Sequence, residues 1–511
     1  MILPANNKKK IRPGVFWPPF LLLLFAVLSS FFYPEAFLKQ ITGINDWILN
    51  QFSLVFSLVA FLMFLVCLIV SFTPLGNIRI GGEDAKPILS RWKWFSIILC
   101  TTVAIGILFW GTAEPLFHIT EPPESLGILS FSKEAEKFSM SILFLHWSFT
   151  PYAIYCVPAL MFALCFYNAG KEFSLVSPMY PIIKGKATIH IRPWVDSICL
   201  FALVAGMAAS LGAGILSLSG GIRYLFPLGD TFWLTGLITF FVILTFTVSA
   251  ATGLLRGIRF FSDINLKVFL GLLIFLLFAG SAPAIFKAFI QGTTGYLSYF
   301  LPISLNIGPL GNDPWIKLWS VFYWANWMAW APVTALFLGR IAYGRTVKEF
   351  LLFNWVLPSC FGIFWMSVFG GMTIQLASEN NLLFGGLLEN LGPESVIYTV
   401  LELLPLAVLS IPVFIIAVFV SYVTAADSNT EAMAALSSRG IEPDSPEASV
   451  KVKVIWGITI GLVAWIMISA ADIQGIRMLS NLGGLPAMFL LFIISLALIR
   501  VAINPNKFFK K

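Results

Sequence analysis

The chain has 511 residues, of which 58% are hydrophobic and only 11% are charged. A soluble domain carries roughly 25% charged residues because its surface must be wetted, so these proportions exclude a soluble multidomain protein and predict one polytopic membrane body. The net charge of +7 does not indicate a nucleic-acid partner, because the basic residues are spread over short loops rather than gathered on one face.

Apolar stretches of membrane-spanning length follow one another along the chain. A bilayer core of about 30 Å needs roughly 20 apolar residues per helix, and on this template we predict an all-α polytopic protein with twelve transmembrane helices. The first seven run approximately over residues 15–35, 50–72, 94–113, 139–166, 195–220, 231–253 and 266–290. After an interfacial stretch at about 290–316, the last five run approximately over 317–341, 349–376, 400–428, 454–471 and 481–503.

The basic residues collect on one side of this arrangement. Of the 32 lysines and arginines, 25 fall in segments on the side that holds both termini, which leaves 7 for the other side. Loops rich in lysine and arginine stay in the cytoplasm. We therefore predict an inner (plasma) membrane protein whose tails, residues 1–14 and the short basic 504–511, are both cytoplasmic. The first apolar stretch is too long for a cleavable signal peptide and is expected to be the first span.

Several classes of site have no support in the sequence. The six cysteines lie inside apolar runs without metal-ligand spacing, so neither a disulfide framework nor a zinc site is expected. His118, His146 and His190 are too scattered in sequence to predict a metal site, and His146 is expected to be a hydrogen-bonded core residue. The phosphate-binding Gly-x4-Gly-Lys-Ser/Thr pattern does not occur in the sequence, so secondary transport or a pore is favoured over nucleotide-driven transport.

Two predicted spans carry aromatic residues along one face. In the fourth span, Trp147, Tyr152 and Tyr155 fall within an arc of about 140° at 100° per residue. The eighth span has a stripe with spacings of four, four and three, made of Trp319, Tyr323, Trp327 and Trp330. Such rings are typical of membrane interfaces. Rings in the middle of a bundle would instead suit a quaternary ammonium ion, because its positive charge is attracted to aromatic faces.

A series of short motifs connects these spans to a known family. In chain order they are Gly76-Asn77-Ile78-Arg79-Ile80-Gly81, Phe109-Trp110-Gly111-Thr112-Ala113-Glu114-Pro115, His146-Trp147 with Pro151 and Tyr155, Ser210-Leu211-Gly212-Ala213-Gly214, Tyr323-Trp324-Ala325-Asn326-Trp327-Met328-Ala329-Trp330-Ala331-Pro332, Gly339-Arg340-Ile341 with Gly344-Arg345-Thr346-Val347, and Thr424-Ala425-Ala426-Asp427-Ser428. With these motifs in this order, from about residue 70 to 435, the chain resembles the betaine/choline/carnitine transporter family.

The resemblance implies a LeuT-like inverted-repeat fold. Two leading helices would precede two related five-helix halves, approximately residues 94–290 and 317–503. Substrates of such folds bind near the membrane midplane, where helices are interrupted. The implied activity is secondary active transport of a quaternary ammonium compound by alternating access, with glycine betaine expected first and choline or carnitine next. The resemblance also implies a homotrimer.

The resemblance places an aromatic cage on Trp147, Tyr152, Tyr155 and Trp327. Cation–π contacts contribute about 0.5 to 2 kcal/mol each, and micromolar binding needs about 8 kcal/mol, so a second handle for the substrate is expected. In the family this handle is a glycine-rich stretch in the broken third helix. The corresponding positions are Thr102, Ala104 and Gly106, so Gly106 and the Thr102 hydroxyl are the candidate contacts.

Sodium is the expected coupling ion, and no other cofactor is expected. A sodium ion needs several oxygen ligands, as other hard cations do. The family's position implies main-chain carbonyls of Cys100 and Val103, with Ser421 and Thr424 from the tenth span. Ala425 stands where the family has a second adjacent hydroxyl.

Ala425 and the loss of two family glycines motivate a sodium-independent exchanger or uniporter for carnitine or choline as the alternative. Lys267 is then either a fixed cation that replaces sodium or an ordinary interfacial lysine.

Three further motif residues, Glu114, Asp427 and Trp330, are predicted to act in gating or helix packing. Charged groups within a membrane are costly and suggest function, so proton carriage by Glu114 or Asp427 is the alternative. A membrane-embedded enzyme that uses Glu114 or His118 as a base, and a solute sensor, are the alternatives from other functional classes.

Overall fold

A computed structural model describes residues 11–102, 104–183, 187–226, 228, 231–252, 254–439 and 448–509. Its described residues form α-helices and short turns, because each backbone polar group inside a bilayer must find a hydrogen-bond partner within its own segment. The helices of the first half are α1 (Pro13–Phe32), α2 (Pro34–Ser71), α3 (Arg91–Thr102), α4 (Ala104–Thr120), α5 (Lys133–Trp147), α6 (Phe149–Ala163), α7 (Ala187–Leu225), α8 (Thr231–Thr252), α9 (Leu254–Ala279) and α10 (Ala282–Ser304). Those of the second half are α11 (Pro314–Ile316), α12 (Phe322–Arg340), α13 (Val347–Leu351), α14 (Leu357–Glu379), α15 (Asn381–Gly385), α16 (Leu387–Leu391), α17 (Val396–Glu402), α18 (Ala407–Leu436), α19 (Val450–Ile503) and α20 (Pro505–Phe508).

The predicted all-α membrane fold is confirmed, while the count of twelve spans stays a prediction. Within the described ranges, eight helices are long and apolar enough to cross a membrane, or ten if each of two bent pairs is one span. α12 is not among them, because its tyrosine, asparagine and tryptophans lower its hydropathy. α19 has 54 residues and non-helical backbone at Asp472. The chain turns back at this point, because an added Cβ at Gly475 would overlap the Met467 carbonyl oxygen. α19 is therefore two helices joined at Asp472, which suits the two spans predicted on either side of that residue.

In two pairs of successive helices, the second helix is bent away from the axis of the first. The axes on either side of residue 103 differ by 52°, so the third predicted span is interrupted between α3 and α4. The axes of α9 and α10 differ by 111°, with Ser281 capping the N-terminus of α10.

The predicted boundaries of two spans are wrong. The span at 266–290 runs across the bend between α9 and α10, and the interfacial stretch at 290–316 begins inside α10. The span at 400–428 begins before α18, because Leu406 has a left-handed backbone conformation (φ 61°) that separates α17 from α18.

Segments that were predicted to share a side of the membrane contact each other. Ile11 pairs with Ser438 in an isolated β-bridge, and Arg79 pairs with Thr346 in another. On the opposite side, the Asp313 carboxylate accepts a hydrogen bond from the Ser125 backbone N–H at 3.0 Å. The relative sides of these loops agree with the charge-based topology, and the assignment of one side to the cytoplasm remains a prediction.

The contact between residues 78–80 and 344–347 joins two of the sequence motifs. Val347 N donates to Ile78 O at 2.9 Å, and Gly344 N donates to Ile80 O at the same distance. Gly344 has φ 81°, and an added Cβ would overlap the main chain of Lys86 and Pro87. Glycine is required there because a side chain would be strained and would push the two loops apart.

α12 lies in the interior of the bundle, against small residues of α7 and α19. An added Cβ at Gly484 would come within 2.5 Å of the Ala325 carbonyl oxygen. At Gly206 it would come within 2.9 Å of both Ala329 and Trp330. Small residues let helix backbones approach closely in membranes, and this approach holds the α12 tryptophans in the bundle core.

Candidate functional site

The four residues of the predicted cage lie together, and Trp327 is at the centre of the group. The centroid of its ring lies 5.4 Å from that of Trp147, 5.9 Å from Tyr152 and 5.3 Å from Tyr155. The ring planes are inclined by 58° to 76°. Each of the four side chains is at most 4% exposed. We call this group the cage.

Local sequence explains why these rings converge. α5 ends at Trp147 and α6 begins at Phe149, because Ser148 has a non-helical backbone (φ −126°, ψ −122°). This break re-aims the chain between Trp147 and Tyr152. Tyr152 and Tyr155 are three residues apart, so both lie on the face of α6 that meets α12.

Two polar atoms of the cage have no protein partner. The Tyr152 hydroxyl and the Trp327 indole N–H are both buried without a hydrogen bond. An unsatisfied buried polar group costs about 1–3 kcal/mol. Both atoms are therefore candidates to bind the polar tail of a substrate whose charged head contacts the rings.

The rings contact one another in this arrangement. A cation is attracted to a ring when it lies within about 6 Å of the ring centroid. A cation placed between two facing rings would separate their centroids by more than the 5.3 Å to 5.9 Å observed here. Binding of a cation between two of these rings therefore requires at least one ring to move.

The interrupted third span contributes Gly106 from α4 and Thr102 from α3, and only Gly106 contacts the cage. An added Cβ at Gly106 would lie 2.8 Å from the Trp147 ring, so the absence of a side chain allows that indole to pack against α4. The Thr102 hydroxyl donates to Ile98 O at 2.9 Å, within its own helix. Gly106 is thus in contact with the cage through Trp147, whereas the Thr102 hydroxyl is engaged with α3.

A fully buried carboxylate, Glu114, lies behind Trp147. Its Oε2 accepts hydrogen bonds from Trp147 Nε1 at 2.8 Å and from the Tyr323 hydroxyl at 2.5 Å. Its Oε1 lies 2.7 Å from His146 Nδ1 and 3.3 Å from His118 Nε2. We call these five residues the Glu114 network. It connects α4, α5 and α12 directly behind the cage.

His118 and His146, which the sequence separates too widely to predict a metal site, both reach Glu114 in the folded protein. The three ligand atoms lie within 4.8 Å of one another, as a metal site would require. Ligand atoms around a tetrahedral zinc ion are roughly 3.3 Å apart, given Zn–N distances of about 2.0–2.1 Å. The 2.7 Å between Glu114 Oε1 and His146 Nδ1 is shorter and fits a hydrogen bond. His146 is the hydrogen-bonded core residue that the sequence predicts.

The predicted coupling-ion residues Cys100 and Ser421 lie near each other and are bridged by Asn265 from α9. Asn265 Nδ2 donates to Cys100 Sγ at 3.8 Å, and the Ser421 hydroxyl donates to Asn265 Oδ1 at 3.0 Å. We call this the Asn265 bridge. Thr424 donates to Val420 O at 2.8 Å within α18. Val103, the remaining predicted ligand, lies outside the described residues.

Two of the predicted gating or packing residues join neighbouring helices. Trp330 Nε1 donates to the Ser210 hydroxyl at 3.1 Å, which links α12 to α7. The Asp427 carboxylate accepts from the Ser249 hydroxyl at 2.6 Å, which links α18 to α8. Both contacts suit helix packing. Lys267 pairs with Asp263 at 2.6 Å on an exposed surface, which favours an interfacial lysine over a fixed cation that replaces sodium.

The sequence does not identify three residues at the site. It places Tyr323 only in an aromatic stripe, and it gives no signal for Asn265. Gly362 on α14 faces the cage, because an added Cβ would overlap the Trp147 carbonyl oxygen and lie 3.7 Å from the Tyr152 ring. A glycine within an apolar run was the one available signal for Gly362.

Comparisons with known proteins agree with this architecture. Residues 14–507 match the model of the family described as BCCT, betaine/carnitine/choline family transporter. The glycine betaine transporter OpuD of Bacillus subtilis is 29% identical over 493 residues, which cover 94% of this chain and 93% of OpuD. The ectoine/hydroxyectoine transporter of Virgibacillus pantothenticus is 27% identical over 504 residues, 98% of each chain.

Two further comparisons concern a choline transporter and a solved structure. The osmo-dependent choline transporter BetT2 of Acinetobacter baylyi is 28% identical over 499 residues, which cover 96% of this chain and 71% of BetT2. Among solved structures, a substrate-bound, outward-open Na⁺-coupled sialic acid symporter has a TM-score of 0.47 and 17% identity, over 88% of this chain and 85% of that one.

The family match covers nearly the whole chain and includes every element of the site described above. Its members are transporters, which excludes the membrane-embedded enzyme. This chain is a multi-pass membrane transporter and belongs to the betaine/carnitine/choline transporter (BCCT) family.

Proposed function

We propose that this protein carries a quaternary ammonium solute across the plasma membrane by alternating access around the cage. The observation that carries the proposal is the convergence of three buried rings from α5 and α6 on Trp327 of α12. The rings offer neutral, electron-rich faces, which attract a permanent cation without a carboxylate in direct contact. Relatives named for glycine betaine and choline transport support this substrate class.

The substrate's head and tail would use different parts of the cage. At about 0.5 to 2 kcal/mol per ring, four rings contribute roughly 2 to 8 kcal/mol toward holding a trimethylammonium head. The tail would accept hydrogen bonds from the Tyr152 hydroxyl and Trp327 Nε1, which have no protein partner. Glycine betaine is the first candidate, and choline or carnitine come next. Ectoine enters as a test compound because of the relative from Virgibacillus pantothenticus.

Coupling has two candidates. The sequence predicts cation-coupled symport, with both termini cytoplasmic and a homotrimeric assembly. The sodium-independent alternative is supported by Ala425, which lacks the hydroxyl that the family has there, and by the Ser421 hydroxyl, which already donates to Asn265 Oδ1. Asn265 contacts Cys100 through Sγ, so this amide leaves the main-chain carbonyl that was expected to bind sodium unaffected.

Uptake into proteoliposomes tests both parts of the proposal. Labelled glycine betaine, choline, carnitine and ectoine are each offered with a sodium gradient and with sodium replaced by potassium. Uptake of at least one quaternary ammonium compound supports the substrate class, and uptake of none contradicts it. Equal uptake in potassium supports the sodium-independent candidate, whereas uptake that requires sodium supports symport.

A variant pair tests the cage itself. Trp327→Leu should reduce binding of the transported compound by roughly 10- to 30-fold, near the upper end of what one ring contributes, because the ring that contacts all three others is lost. Trp324→Leu is the matched control, since Trp324 is fully buried on the same helix but its ring contacts His146 rather than the cage. Equal losses of binding in the two variants would show that the cage is not the binding site.

A further inference from the structure

Glu114 is a buried acidic residue one layer behind the cage, and its surroundings favour the ionised form. Trp147 Nε1 can only donate a hydrogen bond, and the Tyr323 hydroxyl and both imidazoles can donate as well. His146 can donate through Nδ1 while its Nε2 accepts from the Ser320 hydroxyl at 2.9 Å. All four contacts on the two carboxylate oxygens are thus satisfied together when the carboxylate is ionised and both histidines are neutral.

This negative charge has no directly paired lysine or arginine within 4.0 Å among the residues that the structure describes. The nearby guanidinium of Arg477 instead lies over the Trp319 ring, 4.5 Å from its centroid. Glu114 itself is 0% exposed. A buried charge without a paired ion is costly and is retained where it serves a function.

We propose that Glu114 is the counter-charge of the cation site and acts through Trp147. This inference rests on the proposed function, because it assigns the charge that balances the quaternary ammonium head. The hydrogen bond from Trp147 Nε1 to the carboxylate fixes the plane of the indole. The same bond pushes electron density toward the ring face that the cation contacts, and the carboxylate adds its own attraction across one ring.

This arrangement would let the site select a cationic ligand without an ion pair between Glu114 and that ligand. A carboxylate in contact with the substrate would form a charge-assisted contact and slow its release. Placed behind Trp147, the charge acts at a longer distance, where an effective dielectric constant of about 20 reduces the attraction to roughly a tenfold change in affinity. Glu114 is therefore a positioning residue that makes the site prefer charged heads over neutral heads of the same shape.

The test compares two ligands of equal shape. Choline and its uncharged isostere 3,3-dimethyl-1-butanol compete with a labelled substrate for the purified full-length protein, in the wild type and in Glu114→Gln. The amide still accepts from Trp147 and Tyr323 but carries no charge. Glu136→Gln is the control, because Glu136 is a buried carboxylate on α5 that pairs with Lys133 and Lys287 outside the cage.

We expect Glu114→Gln to weaken choline binding about tenfold and to leave the isostere within threefold, so that the preference for the charged ligand falls. Glu136→Gln should leave that preference unchanged. If Glu114→Gln weakens the binding of both ligands equally, Glu114 has only a structural role and the proposal is overturned. The proposal is also overturned if the binding of neither ligand is weakened. A wild type that binds no quaternary ammonium compound would instead contradict the proposed function.

If Glu114→Gln does not fold, Glu114→Asp is measured in its place. The shorter side chain withdraws the carboxylate from Trp147 by one methylene group while the charge remains. The preference for choline over the isostere should then fall by less than the tenfold expected of Glu114→Gln, because the charge remains while its hydrogen bond to Trp147 is lost. An unchanged preference overturns the proposal that Glu114 acts through Trp147.

Discussion

The cage and the Asn265 bridge are both buried where α-helices meet, but different groups hold them together. In the cage, large side chains contact each other ring to ring, and two polar atoms are left without a protein partner. In the Asn265 bridge, a small amide from α9 links α3 to α18 by weak polar contacts. The cage thus leaves polar atoms available for the ligand that we propose, while the bridge connects its polar groups within the protein.

The difference shows which kinds of site a sequence reveals. A cation–π site depends on residue type, so spaced tryptophans and tyrosines identify it. A sodium site depends largely on main-chain carbonyls, which every residue carries. The sequence therefore cannot show whether Cys100 and Ser421 face an ion or another side chain.

Among the variants that test this contrast between the cage and the Asn265 bridge, Gly362→Ala should have the largest effect. The new Cβ would overlap the Trp147 carbonyl oxygen, a main-chain atom that cannot swing aside, so α14 or the α5–α6 break must shift. We expect a loss of about 3 kcal/mol in stability, similar to overpacking in a close-packed core, and loss of substrate binding. Thermal unfolding in detergent and a binding titration measure the two effects.

Gly271→Ala is the control for Gly362→Ala. Gly271 also lies within a helix, α9, and an added Cβ there would meet nothing within 4 Å. Alanine is favoured over glycine in helices by about 1 kcal/mol, so this variant should be as stable as the wild type or more stable. A Gly362→Ala protein that behaves like Gly271→Ala would show that the cage tolerates displacement of α14.

The next effect concerns the Asn265 bridge. Asn265→Ala removes the acceptor of the buried Ser421 hydroxyl and one weak contact to Cys100 Sγ, which should destabilise the protein by about 1–3 kcal/mol. Asn265→Asp places a carboxylate at the same position, where sodium can balance its charge. We expect the melting temperature of Asn265→Asp to rise with sodium chloride but not with an equal concentration of potassium chloride. The melting temperature of the wild type should respond equally to both salts. A wild type that is already stabilised selectively by sodium would favour symport and contradict the bridge as a substitute for the ion.

The sequence predicts the fold well because an apolar segment of bilayer length can form few structures other than a membrane-spanning helix. Its errors occur where a break falls inside an apolar run. The bend at Gly280 and Ser281 and the turn at Leu406 interrupt stretches whose composition does not change, so hydropathy alone extends the span across them. The Ser281 cap and Pro283 at the start of α10 are local signals of the first bend, and a measure of hydropathy does not include them.

Part of the candidate site can also be predicted from the sequence. The cage residues lie on two short motifs, and each motif carries its own aromatic spacing. The Glu114 network draws its partners from 4, 32, 33 and 209 residues away, so no local pattern contains it. Glu114 is visible in the sequence as a charge in a span, but its role behind Trp147 follows only from the folded arrangement.

A smaller effect should separate stability from binding within the cage. Tyr152→Phe removes a buried hydroxyl that has no protein partner, so the ligand-free protein should be as stable as the wild type or more stable by about 1 kcal/mol. Substrate affinity should fall about fivefold, because the hydroxyl would bind the substrate's polar tail. Calorimetric titration and thermal unfolding of the same sample give both values. Lower stability with unchanged affinity would assign the hydroxyl to the fold instead of the ligand.

The smallest effect is expected from Ser210→Ala on α7. Trp330 Nε1 then loses its acceptor at 3.1 Å, while the indole still packs against Gly206. A single neutral hydrogen bond contributes about 0.5–1.5 kcal/mol, so the melting temperature should fall by a few degrees and substrate affinity should change less than twofold. If Trp330 belongs to a gate instead, the transport rate will change while stability does not. A rate measurement beside the melting curve therefore decides whether the tryptophan next to the cage packs helices or controls access to the rings.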